Sequence, residues 1–202
     1  MIEISKNGDI WTAILNRPEK ANAVDKEMLV ALADFAEEAH GQAKVIVLTG
    51  RGKAFSGGMD LEAAKAGLPT DPIWERLSNA IANFEGLSIA ALNGSLAGGA
   101  FGMVLACDIR ISVENAKFFY PVMKLGFLPQ PSDPARLAAL IGPARAKMIL
   151  MAAAKIHASE ALAWGLIDQI VDAESLESSV AELAAAANAA EMSHITAIKH
   201  MI

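Results

Sequence analysis

A single cysteine stands among 202 residues, and only 5% of the chain is aromatic. One cysteine forms no internal disulfide, which excludes small secreted scaffolds and cysteine-rich zinc classes. Clustered positive charge is missing too. The net charge is −6, from 23 acidic and 17 basic residues with no Lys/Arg run, which argues against nucleic acid as a partner. The opening MIEISKNGDIW lacks a basic region followed by an apolar run, so it predicts no signal peptide and a cytoplasmic protein. The four histidines (His40, His157, His194 and His200) are scattered, and no His/Asp/Glu spacing suits a metal. What the chain does have is 53% hydrophobic residues, enough for one well-buried core. Alanine makes up about a fifth of it, which suits closely packed helices.

Residues 86–107 carry no charge and match a membrane span in length, with Gly94, Gly98 and Gly102 at helix-pairing spacing. Ser88, Asn93, Ser95 and the turn signal Asn93-Gly94 argue otherwise. The better reading is a buried strand over 88–92, a glycine turn and a buried helix over 97–106, with no membrane partner. Elsewhere, 2–4 and 10–15 predict a hairpin around Asn7-Gly8. Asp25 predicts the cap of a helix burying Met28, Leu29, Leu32 and Phe35. Strands are expected at 44–48, 109–113, 117–119 and 167–171. Helices are expected from Asp60, over 73–84, and over most of the chain after residue 134. Strands alternating with helices imply parallel pairing and the α/β class.

Several motifs fail on inspection. Gly50-Arg51-Gly52-Lys53 is not a phosphate loop, because Ala54 stands where a hydroxyl is needed. No G-x-G-x-x-G or G-x-S-x-G occurs. Cys107 reads as an inert core thiol.

Two segments share one plan: an apolar strand, a glycine-rich turn and a helix start. They are VIVLTGRGKAFSGGMDL (45–61) and IAALNGSLAGGAFGMVLACDIRIS (89–112). Glycine lets backbone approach a ligand, and a helix start offers unpaired N–H groups. Two such groups aimed at one point form an oxyanion hole, although tight turns needed only for packing would look alike.

With LNRPEKANAVDKEM (15–28), AKFFYPVMKLGFLP (116–129) and ASEALAWGLIDQIV (158–171), these stretches make the chain resemble the crotonase (enoyl-CoA hydratase/isomerase) superfamily. The resemblance covers residues 10–171 nearly continuously. It implies a spiral of repeated ββα units over residues 1–172, followed by a helical segment over 173–202 that is short for the family. It implies acyl-CoA thioesters as substrates, with coenzyme A part of the substrate and no separate cofactor, and homotrimers or dimers of trimers. The resemblance assigns the oxyanion-hole N–H groups to Met59 and Gly99. It places Lys20, Ala21, Ala23, Lys53, Ser56, Gly57, Gly58, Leu61 and Gly98 at the coenzyme A or substrate. Lys20 and Lys53 could equally be solvated surface lysines. Asp60 reads as a helix-start residue, and Asp108 with Arg110 as a turn or ion pair.

The two glutamates of a family hydratase fall at Gly102 and Val122, and neither residue transfers a proton. Asp133 and Tyr120 are the remaining acid–base candidates. Ser132-Asp133-Pro134 before an apolar helix reads more readily as an N-cap, and Tyr120 as a packed aromatic. Glu62 and Glu75 flank the expected acyl pocket without a spacing that supports a role. Three functions stay open. One is an enzyme working through a thioester oxyanion, by isomerisation, decarboxylation or hydrolysis. The others are a non-catalytic acyl-CoA binder and an interaction scaffold, the last disfavoured by the intact glycine pairs.

Overall fold

A computed structural model describes residues 1–202. In chain order the elements are β1 (Ile2–Asn7), β2 (Ile10–Leu15), α1 (Lys26–Ala39), β3 (Val45–Gly50), β4 (Ala54–Ser56), α2 (Leu61–Lys65) and α3 (Ile73–Ala82). Then come β5 (Leu87–Leu92), β6 (Ser95–Ala97), α4 (Phe101–Leu105), β7 (Ile109–Val113), β8 (Lys117–Phe119), α5 (Val122–Leu125), α6 (Asp133–Ile141) and α7 (Pro143–Leu150). The chain ends with β9 (Lys155–His157), α8 (Ala158–Trp164), β10 (Gln169–Val171), α9 (Leu176–Ala189) and α10 (Met192–Lys199).

Two sheets result. The larger runs β1-β2-β3-β5-β7-β10, parallel from β2 onward with β1 antiparallel at its edge. The smaller runs β4-β6-β8-β9. Each turn of the chain lays one strand in the large sheet and one in the small sheet before a helix, as in β3-β4-α2 and β5-β6-α4. This is the repeated ββα spiral that the resemblance implied.

The expected uncharged strand and helix are β5 and α4, the helix extended backwards by a 3-10 turn over Gly98–Ala100. No helix is long and apolar enough to cross a membrane. β3 and β5 are buried on both faces, which explains their unbroken apolar runs. Asp25 caps α1 by accepting from Met28 N at 2.9 Å, and α1 packs on α3. Phe35, Phe55, Phe84, Phe101 and Phe118 are fully buried, so the few aromatics are spent in the core. α9 lies against β3, β5 and β7.

The short elements depart from the sequence reading. β6, read as turn, is a three-residue strand, and the strand β9 and the single helical turn α5 were not expected, although the equally short β8 was. Three residues are too few to show a period, and pairing with neighbouring strands creates them. The pair Asp108–Arg110 does not form. Arg110, 4% exposed, pairs with Asp168 at 3.1 Å and donates to the carbonyls of Leu166, Cys107 and Asp108. Asp108 instead accepts from Ser88 N, Ser88 Oγ and Lys199 Nζ.

Candidate active site

The first glycine turn is fixed from outside its own segment. Asn22 is fully buried in a left-handed conformation (φ 54°), which asparagine tolerates. Its side chain donates to the carbonyls of Arg51 and Ala54 and accepts from Arg17 N. Gly57 N donates to Ala21 O at 2.7 Å, and Val24 N to Gly58 O at 2.8 Å. The loop at Ala21 and Ala23 is thus tied to the turn, while the exposed Lys53 lies beyond it.

Ser56, one of the residues that the resemblance places at coenzyme A, lies inside the turn. It is fully buried, donates to Asn22 O at 2.8 Å and accepts from Gly58 N at 3.2 Å. Its hydroxyl is used inside the turn. Lys20 Nζ lies 3.3 Å from Asp60 Oδ2, which also pairs with Arg17 at 2.9 Å. Asp60 caps α2 through Glu62 N and Ala63 N, as expected. Its carboxyl is held down to about 2, chiefly by the Ala63 N–H bond.

The two glycine turns meet. A Cβ on Gly58 would stand 3.0 Å from Ala97 O and 3.4 Å from Gly98 Cα. Gly58 and Gly98 both have positive φ, +95° and +55°. Only glycine allows this approach and this backbone together. Met59 N donates to no backbone carbonyl. Gly99 lies in the first turn of its 3-10 helix, where N–H groups lack intrahelical acceptors.

Both residues line one cavity of about 520 Å³, together with Gly57, Gly58, Leu61 and Gly98. Its walls are mostly apolar, formed by Trp74, Phe119, Val122, Leu125, Phe127 and Leu128. Trp74 was missed by sequence reasoning. Its ring lies 3.0 Å from a Cβ placed on Gly99, so glycine there admits the indole. Gln130 also lines the cavity.

Three ionisable side chains line the cavity: Glu62 and Lys65 of α2, both exposed, and the buried Tyr120 beside Val122. Tyr120 Oη donates to Asp133 Oδ2 at 2.8 Å, and Gln130 N donates to Oη at 3.4 Å. Phe101 stacks on its ring at 5.3 Å. The N-cap reading of Asp133 is overturned. The helix starts at Asp133 itself, its cap Ser132 makes no side-chain cap bond, and the Asp133 carboxylate points inward, fully buried. Asp133 Oδ1 has no hydrogen-bond partner. Burial, with the nearby charge of Glu75, pushes the Asp133 carboxyl up to about 7, against the Tyr120 bond and Arg136. Burial also raises the Tyr120 hydroxyl well above its ordinary value, and Asp133 adds to this. Glu75 accepts from Ser132 N and Oγ, so it braces the loop before α6. Cys107 is buried, donates to Met103 O and has its thiol raised to about 12, as befits an inert thiol.

Comparison with known proteins places this geometry. Residues 5–202 match the model of the enoyl-CoA hydratase/isomerase family. The chain belongs to the enoyl-CoA hydratase/isomerase family. Among curated relatives, a carnitinyl-CoA dehydratase of Salmonella typhi is 34% identical over 197 residues, covering 91% of this chain and 72% of that protein. Among solved structures, Pseudomonas aeruginosa DspI superposes with TM-score 0.90 at 30% identity, covering 98% of this chain and 78% of that one. An enoyl-CoA hydratase/isomerase from Pseudoalteromonas atlantica gives TM-score 0.90 at 26% identity, covering 99% and 81%. Within this family the present chain carries Gly102 and Val122 where the resemblance expects glutamates.

Proposed function

We propose that the protein binds an acyl-CoA thioester and moves a proton at the carbon next to the thioester carbonyl, as in isomerisation. The Met59 and Gly99 N–H groups would hold the developing enolate oxygen, and Tyr120 would exchange the proton. The observation that carries this reading is the meeting of two glycine turns in an apolar cavity that Tyr120 also lines. Charge that develops on an oxygen in such a mostly apolar pocket is stabilised by fixed donors, each worth about 3–4 kcal/mol in the transition state. Coenzyme A would lie along Gly57, Leu61 and the loop at Lys20, Ala21 and Ala23, with Lys53 within reach of its phosphates. The reading extends to a homotrimer, which light scattering on the purified protein tests.

The decisive assay needs no knowledge of the natural acyl group. Purified protein is incubated in D₂O with enoyl-, malonyl- and hydroxyacyl-CoAs, and products are followed by mass spectrometry. Deuterium entering the α-carbon, or an isomerised product, is the expected result. The absent carboxylates at Gly102 and Val122 favour one rival, a non-catalytic acyl-CoA binder. Binding of every thioester without exchange or turnover would establish that rival.

A further inference from the structure

Gly102 and Asp133 form a complementary pair. A Cβ on Gly102 would stand 2.9 Å from Asp133 Oδ1 and 3.6 Å from the carboxyl carbon. Any side chain at 102 would enter the space that Asp133 fills. The space beside Gly102 of α4 is thus filled by the carboxylate of Asp133, the first residue of α6, which packs on α4. Asp133 does not line the cavity; Tyr120 stands between.

We infer that Asp133 is a positioning residue that acts through Tyr120, taking and returning the proton that the Tyr120 hydroxyl exchanges with the substrate. This rests on the proposed function above. In the outward step the C–H bond next to the thioester breaks, and its proton goes to Tyr120 Oη. The phenolic proton passes at once to Asp133 Oδ2. The C–H electron pair becomes the enolate, whose negative charge settles on the oxygen facing Met59 N and Gly99 N. Asp133 loses its charge as the enolate gains one, so the site's total is unchanged. The return step runs the same path backwards and can deliver the proton to a different carbon.

The surroundings suit this task. A tyrosine hydroxyl raised by burial is a poor base alone, and a carboxylate behind it supplies the basicity. An acid–base group tuned near neutral is the efficient choice for two-way transfer. The charged groups facing Asp133 are Glu75 from α3, which raises its carboxyl, and Arg136 from α6, which lowers it. α4 contributes none. Arg145 and Lys147 on α7 are exposed, with Arg145 over the Trp164 ring. Asp133 Oδ1 is buried and unpartnered, so the Tyr120 hydroxyl is the one hydrogen-bond partner of the carboxylate.

The test compares wild-type protein with Asp133→Asn in the D₂O exchange assay across pH, with thioester affinity measured by calorimetry. Wild-type exchange is expected to rise as pH passes about 7. Asp133→Asn is expected to lose about 100-fold or more of the exchange rate and this pH step, with affinity kept. Exchange in Asp133→Asn at the wild-type rate and pH profile would overturn the inference alone. No exchange by wild-type protein at any pH would overturn both it and the proposed function. Should Asp133→Asn fail to fold, carboxyl ¹³C titration of wild-type protein decides. A buried aspartate with a midpoint near 7 supports the inference, and the absence of any aspartate titrating above about 4 opposes it.

Discussion

Gly102 and Asp133 exclude each other's side chains. A Cβ on Gly102 would lie 2.9 Å from Asp133 Oδ1. Gly102→Ala in a helix interior ordinarily stabilises by up to about 1 kcal/mol. Here the expected sign is reversed, with a loss of about 1–3 kcal/mol from overpacking in urea unfolding. Gly102→Glu is expected to lose more, because it adds a second carboxyl beside the first. Adding Asp133→Ala to Gly102→Glu should recover part of that loss. Additive single and double variants would show that the two sites do not share the space.

Gly58 holds the two glycine turns together at φ +95°. Gly58→Ala is strained by its backbone and by Ala97 O at 3.0 Å. The expected cost is about 1–3 kcal/mol in thermal or urea unfolding. A larger fall is expected in α-carbon exchange than in thioester affinity, since Met59 N follows Gly58 directly. Equal losses in both would separate the turn from oxyanion stabilisation.

Asp133 gives stability a pH dependence with a definite sign. Its folded carboxyl lies at about 7, above the unfolded value of 3.8, so the folded state binds the proton more tightly. The stabilisation is full below about pH 4 and is lost as pH rises through about 7. It amounts to at most about 4 kcal/mol on this shift. Asp60 has the opposite sign, with its folded carboxyl at about 2 against 3.8. Its contribution is present above about pH 4 and is lost as pH falls through about 2. Urea midpoints of wild-type protein and Asp133→Asn across pH 4–8 check the first claim. The difference between them should change by several kcal/mol, and parallel curves would refute it.

Arg110 ties β7 to the segment before β10 through Asp168 and the Leu166 carbonyl. Arg110→Ala leaves the carbonyls of Cys107 and Leu166 without this donor in a buried place. Arg110 is buried but the Asp168 side chain is 44% exposed, so a loss of about 1–3 kcal/mol is expected, chiefly from the carbonyls left unpaired. Chemical denaturation measures it, and a loss below about 1 kcal/mol would show the pair to be expendable.

Cys107 should resist alkylation in the folded protein at pH 8, since its thiol titrates at about 12 and is buried. Mass spectrometry after iodoacetamide is expected to find modification only once the chain is unfolded.

The long elements were legible in the sequence because each carries its own signal. The 3.6 period of Met28, Leu29, Leu32 and Phe35 with the cap Asp25 marks α1, and the apolar runs mark β3 and β5. The three-residue strands β6 and β9 carry no such signal, because cross-strand partners define them. Asn22 and Trp74 were missed for a related reason. An asparagine in a loop and a tryptophan on a helix look ordinary until their partners, 29 to 32 residues away for Asn22, are in place.

By itself the sequence determined the family, the two glycine turns and the presence of Gly102 and Val122, neither of which carries a carboxylate. Each is a local matter of residue type and backbone freedom, written in consecutive positions. Only the tertiary structure decided where the remaining carboxylate goes. Ser132-Asp133-Pro134 has the local chemistry of a helix cap, yet packing of α6 on α4 turns Asp133 inward to Tyr120. It likewise decided that Arg110 meets Asp168, 58 residues on, instead of its near neighbour Asp108. A buried polar side chain must find its partner among whatever groups the fold brings near, and those groups are distant in the chain. The single cysteine leaves the core without an internal disulfide, and its packing selects the candidate acid–base pair.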